Sequence, residues 1–120
     1  MYKDNFFDKK NVLVTGGTGL IGRQVVRKLL DQGSKVTIVS LDHFTVEDRV
    51  NLIFGDLTDL NFCKEITLGI DYVCHLAGIK ASLDISKSHL ASHFVPTLMM
   101  NCNLLEAAFQ NQIKGLVYSS

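Results

Sequence analysis

The stretch Val12–Gly22, with the sequence VLVTGGTGLIG, most constrains what this chain can fold into. Its first residues are apolar and largely β-branched, which is typical of a buried strand. Glycines follow directly, and the segment after them has the apolar periodicity of a helix. The sequence therefore predicts a strand, a tight glycine-rich turn and a helix, in that order.

The glycines of this turn fit two spacings associated with dinucleotide binding. Gly17, Gly19 and Gly22 match the spacing G-x-G-x-x-G. Gly16, Gly19 and Gly22 match the wider spacing G-x-x-G-x-x-G. In either spacing one glycine allows a positive φ, one lets backbone approach a pyrophosphate, and one lets helix and strand pack closely. The positive end of a helix beginning near Leu20 favours an anion.

Composition excludes several other classes of protein. The chain has 120 residues, enough for one domain, with 47% apolar and 20% charged residues. Its formal net charge of zero argues against nucleic acid or an anionic membrane as partner. Neither a signal peptide nor an apolar stretch of membrane-spanning length is found. Cys63, Cys74 and Cys102 have no metal-binding spacing, and we interpret them as buried, reduced thiols of a cytoplasmic protein.

The rest of the chain alternates predicted strands and helices. Strands are predicted near 12–15 and at 35–40, 50–54, 70–76 and 116–118. Helices are predicted from about 20 to Gly33, from a cap at Thr58 or Asp59 to about 67, over 86–93, and from Pro96 to 110. Apolar strands alternating with helices predict an α/β fold, a doubly wound parallel sheet of five strands in the order 3-2-1-4-5.

Five motifs in this order resemble those of the extended short-chain dehydrogenase/reductases, a Rossmann-fold family that includes nucleotide-sugar epimerases, dehydratases and reductases similar to UDP-glucose 4-epimerase. They are Thr15–Gly22 (TGGTGLIG), Gly55–Leu57 (GDL), His75–Lys80 (HLAGIK), Asn103–Ala108 (NLLEAA) and Val117–Ser120 (VYSS). The resemblance covers essentially the whole chain and implies an NAD or NADP cofactor. It implies less about any one substrate.

The resemblance, together with the strand ends, assigns a set of cofactor-binding residues. The resemblance implies that Gly19, Leu20 and Ile21 lie over the pyrophosphate and that Asp56 and Leu57 lie against the adenine. Leu76, Ala77 and Gly78 are expected along the path to the nicotinamide ribose, and Lys80 matches a lysine that approaches the cofactor. Asp56 could instead cap the next turn and Lys80 could be an ordinary loop lysine, while His75 is expected to be a satisfied core histidine. The full set is Gly16, Gly19, Leu20, Ile21, Gly22, Ser40, Asp42, Asp56, Leu57, Leu76, Ala77, Gly78, Lys80 and Ser119.

The choice between NAD and NADP depends on the end of the second strand. An acid there binds the ribose hydroxyls and repels a 2′-phosphate, so Ser40 at this position tolerates NADP. A shift of one or two residues lets Asp42 select NAD instead. Arg23 or Arg49 could reach a phosphate, and the sequence leaves both cofactors open.

Two departures from the family pattern are visible. Thr97 aligns with an asparagine of the family, and Met100-Asn101 replaces a Gly-Thr pair, so helix position or the polarity of the site is expected to differ. The family's catalytic serine or threonine would follow Ser120, and its Tyr-x-x-x-Lys would lie further on. We assign no catalytic residue and no metal ligand.

The leading interpretation is an incomplete cofactor-binding Rossmann domain over 1–120, the N-terminal portion of an enzyme acting on nucleotide sugars and expected to be inactive alone. The resemblance also suggests a homodimer. A non-catalytic NAD(P)-sensing module that regulates a partner is the alternative. A phosphate-transferring P-loop is disfavoured because the Gly-Lys-Ser/Thr ending is missing.

Overall fold

The computed structural model describes residues 6–17, 20–40, 49–76 and 90–118. Strands and helices alternate along these residues. The strands are β1 (Asn11–Thr15), β2 (Lys35–Ser40), β3 (Asn51–Phe54), β4 (Tyr72–His75) and β5 (Gly115–Tyr118). The helices are α1 (Leu20–Asp31), α2 (Leu60–Ile66) and α3 (Leu90–Gln110).

The five strands form one parallel sheet in the order β3-β2-β1-β4-β5. This confirms the predicted architecture, and it places the reversal of strand order beside β1. From β1 the chain moves outward through β2 to β3, then crosses back to β4 on the other side. In sheets of this kind, ligands bind outside the carboxyl ends of the strands at such a reversal.

Both faces of the sheet are covered, which explains why its strands are apolar throughout rather than alternating. Val12 and Val14 pack against α1, where Val26 and Leu29 are buried. Leu13 points to the opposite face and joins a cluster that contains residues of α2 and α3. The central strand is therefore fully enclosed, as befits the strand that leads into the glycine turn.

Capping residues mark the end of α1 and the start of α2, as the sequence predicts. Gly33 follows α1 with a φ of 91°, a left-handed conformation that favours glycine. Asp59 is the N-cap of α2, because its Oδ1 accepts hydrogen bonds from the amides of Asn61 and Phe62. Of the two candidate caps in the sequence, Asp59 is thus the correct one.

The start of α3 differs from the prediction. Pro96 was expected in the first turn, but the helix already begins at Leu90 and Pro96 lies inside it. Proline lacks the N–H that would bond to the carbonyl four residues earlier, which is why it normally marks a helix start. The part of the predicted 86–93 helix before Leu90 lies outside the described residues. Within the described part of the chain, no helix combines the length and apolar character needed to cross a membrane.

The three cysteines are all free, but they are not all buried as predicted. Cys63 is buried and its thiol donates to the carbonyl oxygen of Leu57 over 3.3 Å. Burial raises the pKa of Cys63 to about 11, and the carboxylates of Asp59 and Asp56 add to this effect. Cys74 is half-buried and Cys102 is exposed on α3, so the prediction for Cys102 was wrong.

Candidate cofactor-binding site

The carboxyl ends of the strands meet at one edge of the sheet. Thr15, the last residue of β1, is paired with Val39 on one side and His75 on the other. His75 is paired with Tyr118 at the end of β5, and on the far side Ser40 is paired with Phe54. The segments that leave these strands therefore begin side by side, and they are the segments in which the sequence predicts cofactor-binding residues.

Gly16, the first residue after β1, has the positive φ that the sequence predicts for one glycine of the turn. Gly16 has a φ of 72°, which L-residues with a side chain rarely adopt. A Cβ on Gly22 would lie 2.0 Å from the carbonyl oxygen of Gly16 and 2.8 Å from the Cα of Gly17. The first turn of α1 therefore packs directly on the backbone of the glycine turn, as the third glycine of the fingerprint requires.

This packing is the observation that fits the turn to a dinucleotide. The first turn of α1 packs on the backbone of Gly16 and Gly17, which carry no side chains, and we expect an anion to approach the free amides of the helix end there. Gly17 is also confined, since a Cβ there would meet the side chain of Ile38 at 3.0 Å. Ile21, in the first turn of α1, has an exposed side chain at this edge.

The Gly55–Leu57 segment follows β3 at the same edge. A Cβ on Gly55 would lie 2.1 Å from the ring of Phe62, so α2 packs tightly against this segment. Asp56 is exposed, and its Oδ1 accepts a hydrogen bond from the amide of Thr58 over 2.9 Å. The backbone and side-chain hydrogen bonds from Thr58 lower the pKa of Asp56.

Asp56 thus has the capping role that the sequence offered as an alternative, and its contact with adenine stays a prediction. Leu57 is buried in the core below α3, and its carbonyl oxygen accepts from Cys63 and from the Asn103 side chain. The predicted approach of Leu57 to the adenine also stays a prediction.

Ser40 and Leu76 lie at the same edge as the glycine turn. Ser40 ends β2, is half-buried, and its carbonyl oxygen accepts from the amide of Gly55 over 3.2 Å. The amide of Leu76 donates to both the carbonyl and the hydroxyl oxygen of Thr15, each over 3.0 Å. The remaining predicted residues lie outside the described part of the chain. They are Gly19, Asp42, Ala77, Gly78, Lys80 and Ser119.

A chain of polar side chains connects three strand ends beneath this edge. The Thr15 hydroxyl and Nδ1 of His75 lie 2.6 Å apart, and Nε2 of His75 lies 2.6 Å from Oδ1 of Asn101. The Asn101 amide nitrogen donates to the Tyr118 hydroxyl over 3.1 Å, and the Tyr118 ring stacks on His75. We call these four residues, Thr15, His75, Asn101 and Tyr118, the strand-end network.

His75 is the buried centre of the network, with 3% of its surface exposed. Because Oδ1 of Asn101 faces Nε2, the network assigns the proton to Nε2, and Nδ1 accepts from the Thr15 hydroxyl. Burial lowers the pKa of His75, and the hydrogen bond with Asn101 partly opposes this. His75 is therefore a neutral, satisfied core histidine, as predicted. The sequence analysis did not identify the hydrogen-bond partners of His75. The polar residues that end β1, β4 and β5 (Thr15, His75 and Tyr118) could have indicated that these side chains meet at one edge of the sheet.

A doubly wound parallel sheet, with a glycine turn packed against the first turn of a helix at its reversal point, defines the class of dinucleotide-binding α/β domains. Residues 12–120 match the model of the NAD dependent epimerase/dehydratase family. The chain belongs to this family, and the NAD-type cofactor predicted from the sequence is the one in the family's description.

Curated relatives agree with the family match. The chain is 36% identical to the bifunctional UDP-glucose 4-epimerase and UDP-xylose 4-epimerase 3 of Arabidopsis thaliana, covering 93% of this chain and 36% of the relative. It is 30% identical to a 3 beta-hydroxysteroid dehydrogenase/Delta 5-->4-isomerase of Mycobacterium tuberculosis, covering 91% of this chain and 31% of the relative. The chain thus spans about a third of the length of these relatives.

Solved structures show the same likeness. UDP-glucose 4-epimerase from Thermotoga maritima, determined with UDP-glucose, superimposes with a TM-score of 0.82 at 31% identity. The match covers 92% of this chain and 37% of that enzyme.

Proposed function

We propose that this chain is the cofactor-binding, N-terminal portion of an oxidoreductase or epimerase that modifies nucleotide sugars by hydride transfer at a sugar carbon. The observation that carries the proposal is the contact between Gly22 and the backbone of Gly16, at the one edge where the strand ends meet. The family match and the two epimerases similar to this chain support it.

In this proposal different residues at this edge of the sheet bind different parts of NAD or NADP. Backbone amides at the start of α1, near Leu20 and Ile21, bind the pyrophosphate, and the glycines leave room for it. Asp56 and Leu57 flank the adenine, while Leu76, Ala77, Gly78 and Lys80 lie toward the nicotinamide. When bound, the nicotinamide ring supplies a reversible hydride acceptor and donor.

The residue at the end of β2 is compatible with both cofactors. Ser40 places a hydroxyl rather than a carboxylate at the end of β2, so it does not repel a 2′-phosphate. Asp42 is the residue that would favour NAD. Comparing the dissociation constants of NADH and NADPH, before and after Asp42→Asn, decides between them, since losing the carboxylate weakens NADH binding only if Asp42 binds the ribose.

The substrate class rests on the relatives rather than on this chain's side chains. UDP-sugar epimerases support a nucleotide sugar, whereas another similar protein is named a 3 beta-hydroxysteroid dehydrogenase, so similarity over this portion does not by itself determine the substrate class. We propose that the catalytic groups, including the Tyr-x-x-x-Lys implied by the family resemblance, follow Ser120, since this chain spans about a third of the length of the relatives. We also propose a cytoplasmic location, supported by the three free cysteines.

Two assays test the proposal in sequence. Titration of the 120-residue chain with NADH, followed by the cofactor's fluorescence, should show saturable binding and no conversion of UDP-sugars. The same polypeptide extended by its downstream region should convert a nucleotide sugar in the presence of NAD(P). Binding without any conversion by the extended polypeptide would favour the NAD(P)-sensing alternative, and absence of binding would refute both.

A further inference from the structure

We propose that Asn101 is a positioning residue of the cofactor site, acting through His75 and Tyr118 on the strand ends from which the binding segments leave. The inference rests on the proposed function, because it concerns how the same site is held in shape. It goes beyond that function in giving a role to an α3 residue that lies in neither the glycine turn nor the other predicted binding segments.

The strand-end network lies where three strands lead into predicted cofactor-binding segments. Thr15, His75 and Tyr118 are the last residues of β1, β4 and β5. The next residue in each case, Gly16, Leu76 or Ser119, is predicted to bind the cofactor. A displacement of any of these strand ends therefore displaces a binding segment directly.

Hydrogen bonds of the Asn101 side chain connect the network across two strands. Asn101 is the member that belongs to a helix, and its amide contacts two strands at once, accepting from Nε2 of His75 and donating to the Tyr118 hydroxyl. On its other side His75 reaches the Thr15 hydroxyl, which also accepts from the amide of Leu76. One side-chain amide thus joins β5 to β4 within a continuous path from β5 to β1.

Removing the Asn101 amide would leave a buried ring nitrogen of His75 without its hydrogen-bond partner. The imidazole is almost completely buried, so Nε2 without Asn101 would lose its acceptor where water has little access. The ring would then change its tautomer or its orientation, and the bond with Thr15 would change with it. Asparagine suits this place because one amide supplies both an acceptor and a donor. This residue is part of the Met100-Asn101 departure seen in the sequence.

The test compares Asn101→Leu with Asn111→Leu in the full chain. Asn111 follows α3 at the opposite edge of the sheet, is also half-buried, and donates to the Lys64 carbonyl and the Thr67 hydroxyl. We expect Asn101→Leu to weaken NADH binding about tenfold and Asn111→Leu to leave it within about twofold. The shifts of the His75 ring nitrogens in NMR spectra should change in Asn101→Leu alone.

Asn101→Asp serves as the conservative variant. Its carboxylate accepts from Nε2 of His75 and from the Tyr118 hydroxyl, so the path remains closed. NADH binding should stay within about threefold of the wild type, while the carboxylate raises the pH at which the imidazole titrates. Among the described residues, the ring's partners in the wild type are a hydroxyl, an amide and the stacked phenol of Tyr118, none of them a carboxylate. We therefore assign the upward shift to the introduced carboxylate.

The outcomes separate this inference from the proposed function. If the wild type binds NADH and Asn101→Leu binds it equally well, or loses no more affinity than Asn111→Leu, Asn101 does not position the site. An unchanged His75 spectrum in Asn101→Leu would overturn the inference as well. A wild-type chain that binds no NADH overturns the proposed function, and the inference with it.

Discussion

Gly22 shows how a single missing side chain can decide the geometry of a site. Glycine inside a helix usually costs about 1 kcal/mol relative to alanine, so its presence in the first turn of α1 needs a reason. The reason is the carbonyl oxygen of Gly16, which would lie 2.0 Å from a Cβ at this position. Because the obstacle is backbone, no rotation of a side chain relieves it.

We therefore predict that Gly22→Ala destabilises the chain by about 3 kcal/mol and weakens NADH binding more than tenfold. The clash outweighs the gain in helix propensity, since the helix must move away from the turn that it supports. Urea unfolding measures the first effect and NADH titration the second.

Gly69→Ala is the matched control. Gly69 has a φ of 74°, but a Cβ there would meet nothing within 4 Å. This variant should lose about 1 kcal/mol through backbone strain and bind NADH normally. If Gly22→Ala behaves like Gly69→Ala, the close packing of α1 on the glycine turn is not what the site depends on.

His75 makes stability depend on pH. Its folded pKa lies below the ordinary value of 6.5 because the ring is buried. Below pH 6.5 the unfolded chain takes up a proton that the folded chain does not, so the free energy of unfolding falls as the pH drops toward the folded pKa. We expect a loss of up to about 1.4 kcal/mol per pH unit in that window.

Urea unfolding at several pH values between 7.5 and 5 checks this prediction. The decrease should be smaller in His75→Gln, which removes the titrating ring while keeping a polar side chain. An identical pH dependence in the wild type and His75→Gln would assign the effect to other groups.

At the level of elements, the predicted order of strands and helices is confirmed because local patterns determine it. The apolar, β-branched runs before Gly16 and after Gly33 are short and bounded by turn residues, which favours buried strands over helices, and they pair as β1 and β2. The start of α3 was predicted wrongly because the proline rule considers only the local preference of this residue. The helix continues through Pro96, which lacks the N–H for one backbone hydrogen bond.

The outer face of α3 carries exposed apolar side chains at helical spacing. They are Val95, Leu98, Met99, Leu105 and Phe109. Over Leu90–Gln110 the sequence has one formally charged residue, Glu106, so two copies of this face could meet with little repulsion between like charges. These observations support the homodimer suggested by the family resemblance, which remains a proposal.

Introducing charge on this face tests the dimer. Leu105 and Phe109 are 51% and 81% exposed, so replacing both by glutamate should convert a dimer to a monomer without unfolding the chain. Sedimentation equilibrium measures the change. Gln24→Glu with Gln32→Glu adds the same charge at exposed positions near α1 and should leave a dimer intact. A wild type that sediments as a monomer would contradict the proposal.

For the whole molecule, the sequence predicted the sheet and the glycine turn but not the network that joins the strand ends. Gly16 and Gly22 are informative alone because their backbone roles exclude other residues. Thr15 and Asn101 are ordinary in their local contexts, and they meet His75 only when β1, β4 and α3 are assembled. Contacts of this kind depend on which faces the elements present to one another.

The proposed function of the whole molecule requires that a dinucleotide binds at the turn between β1 and α1. Adding NAD to the isotopically labelled chain and following its backbone amides by NMR tests this directly. We predict that the largest shifts occur at Gly16–Gly22 and Leu76, with little change at Lys114 at the opposite edge of the sheet. Amide signals that stay fixed at saturating NAD, or that move only at that opposite edge, would contradict it.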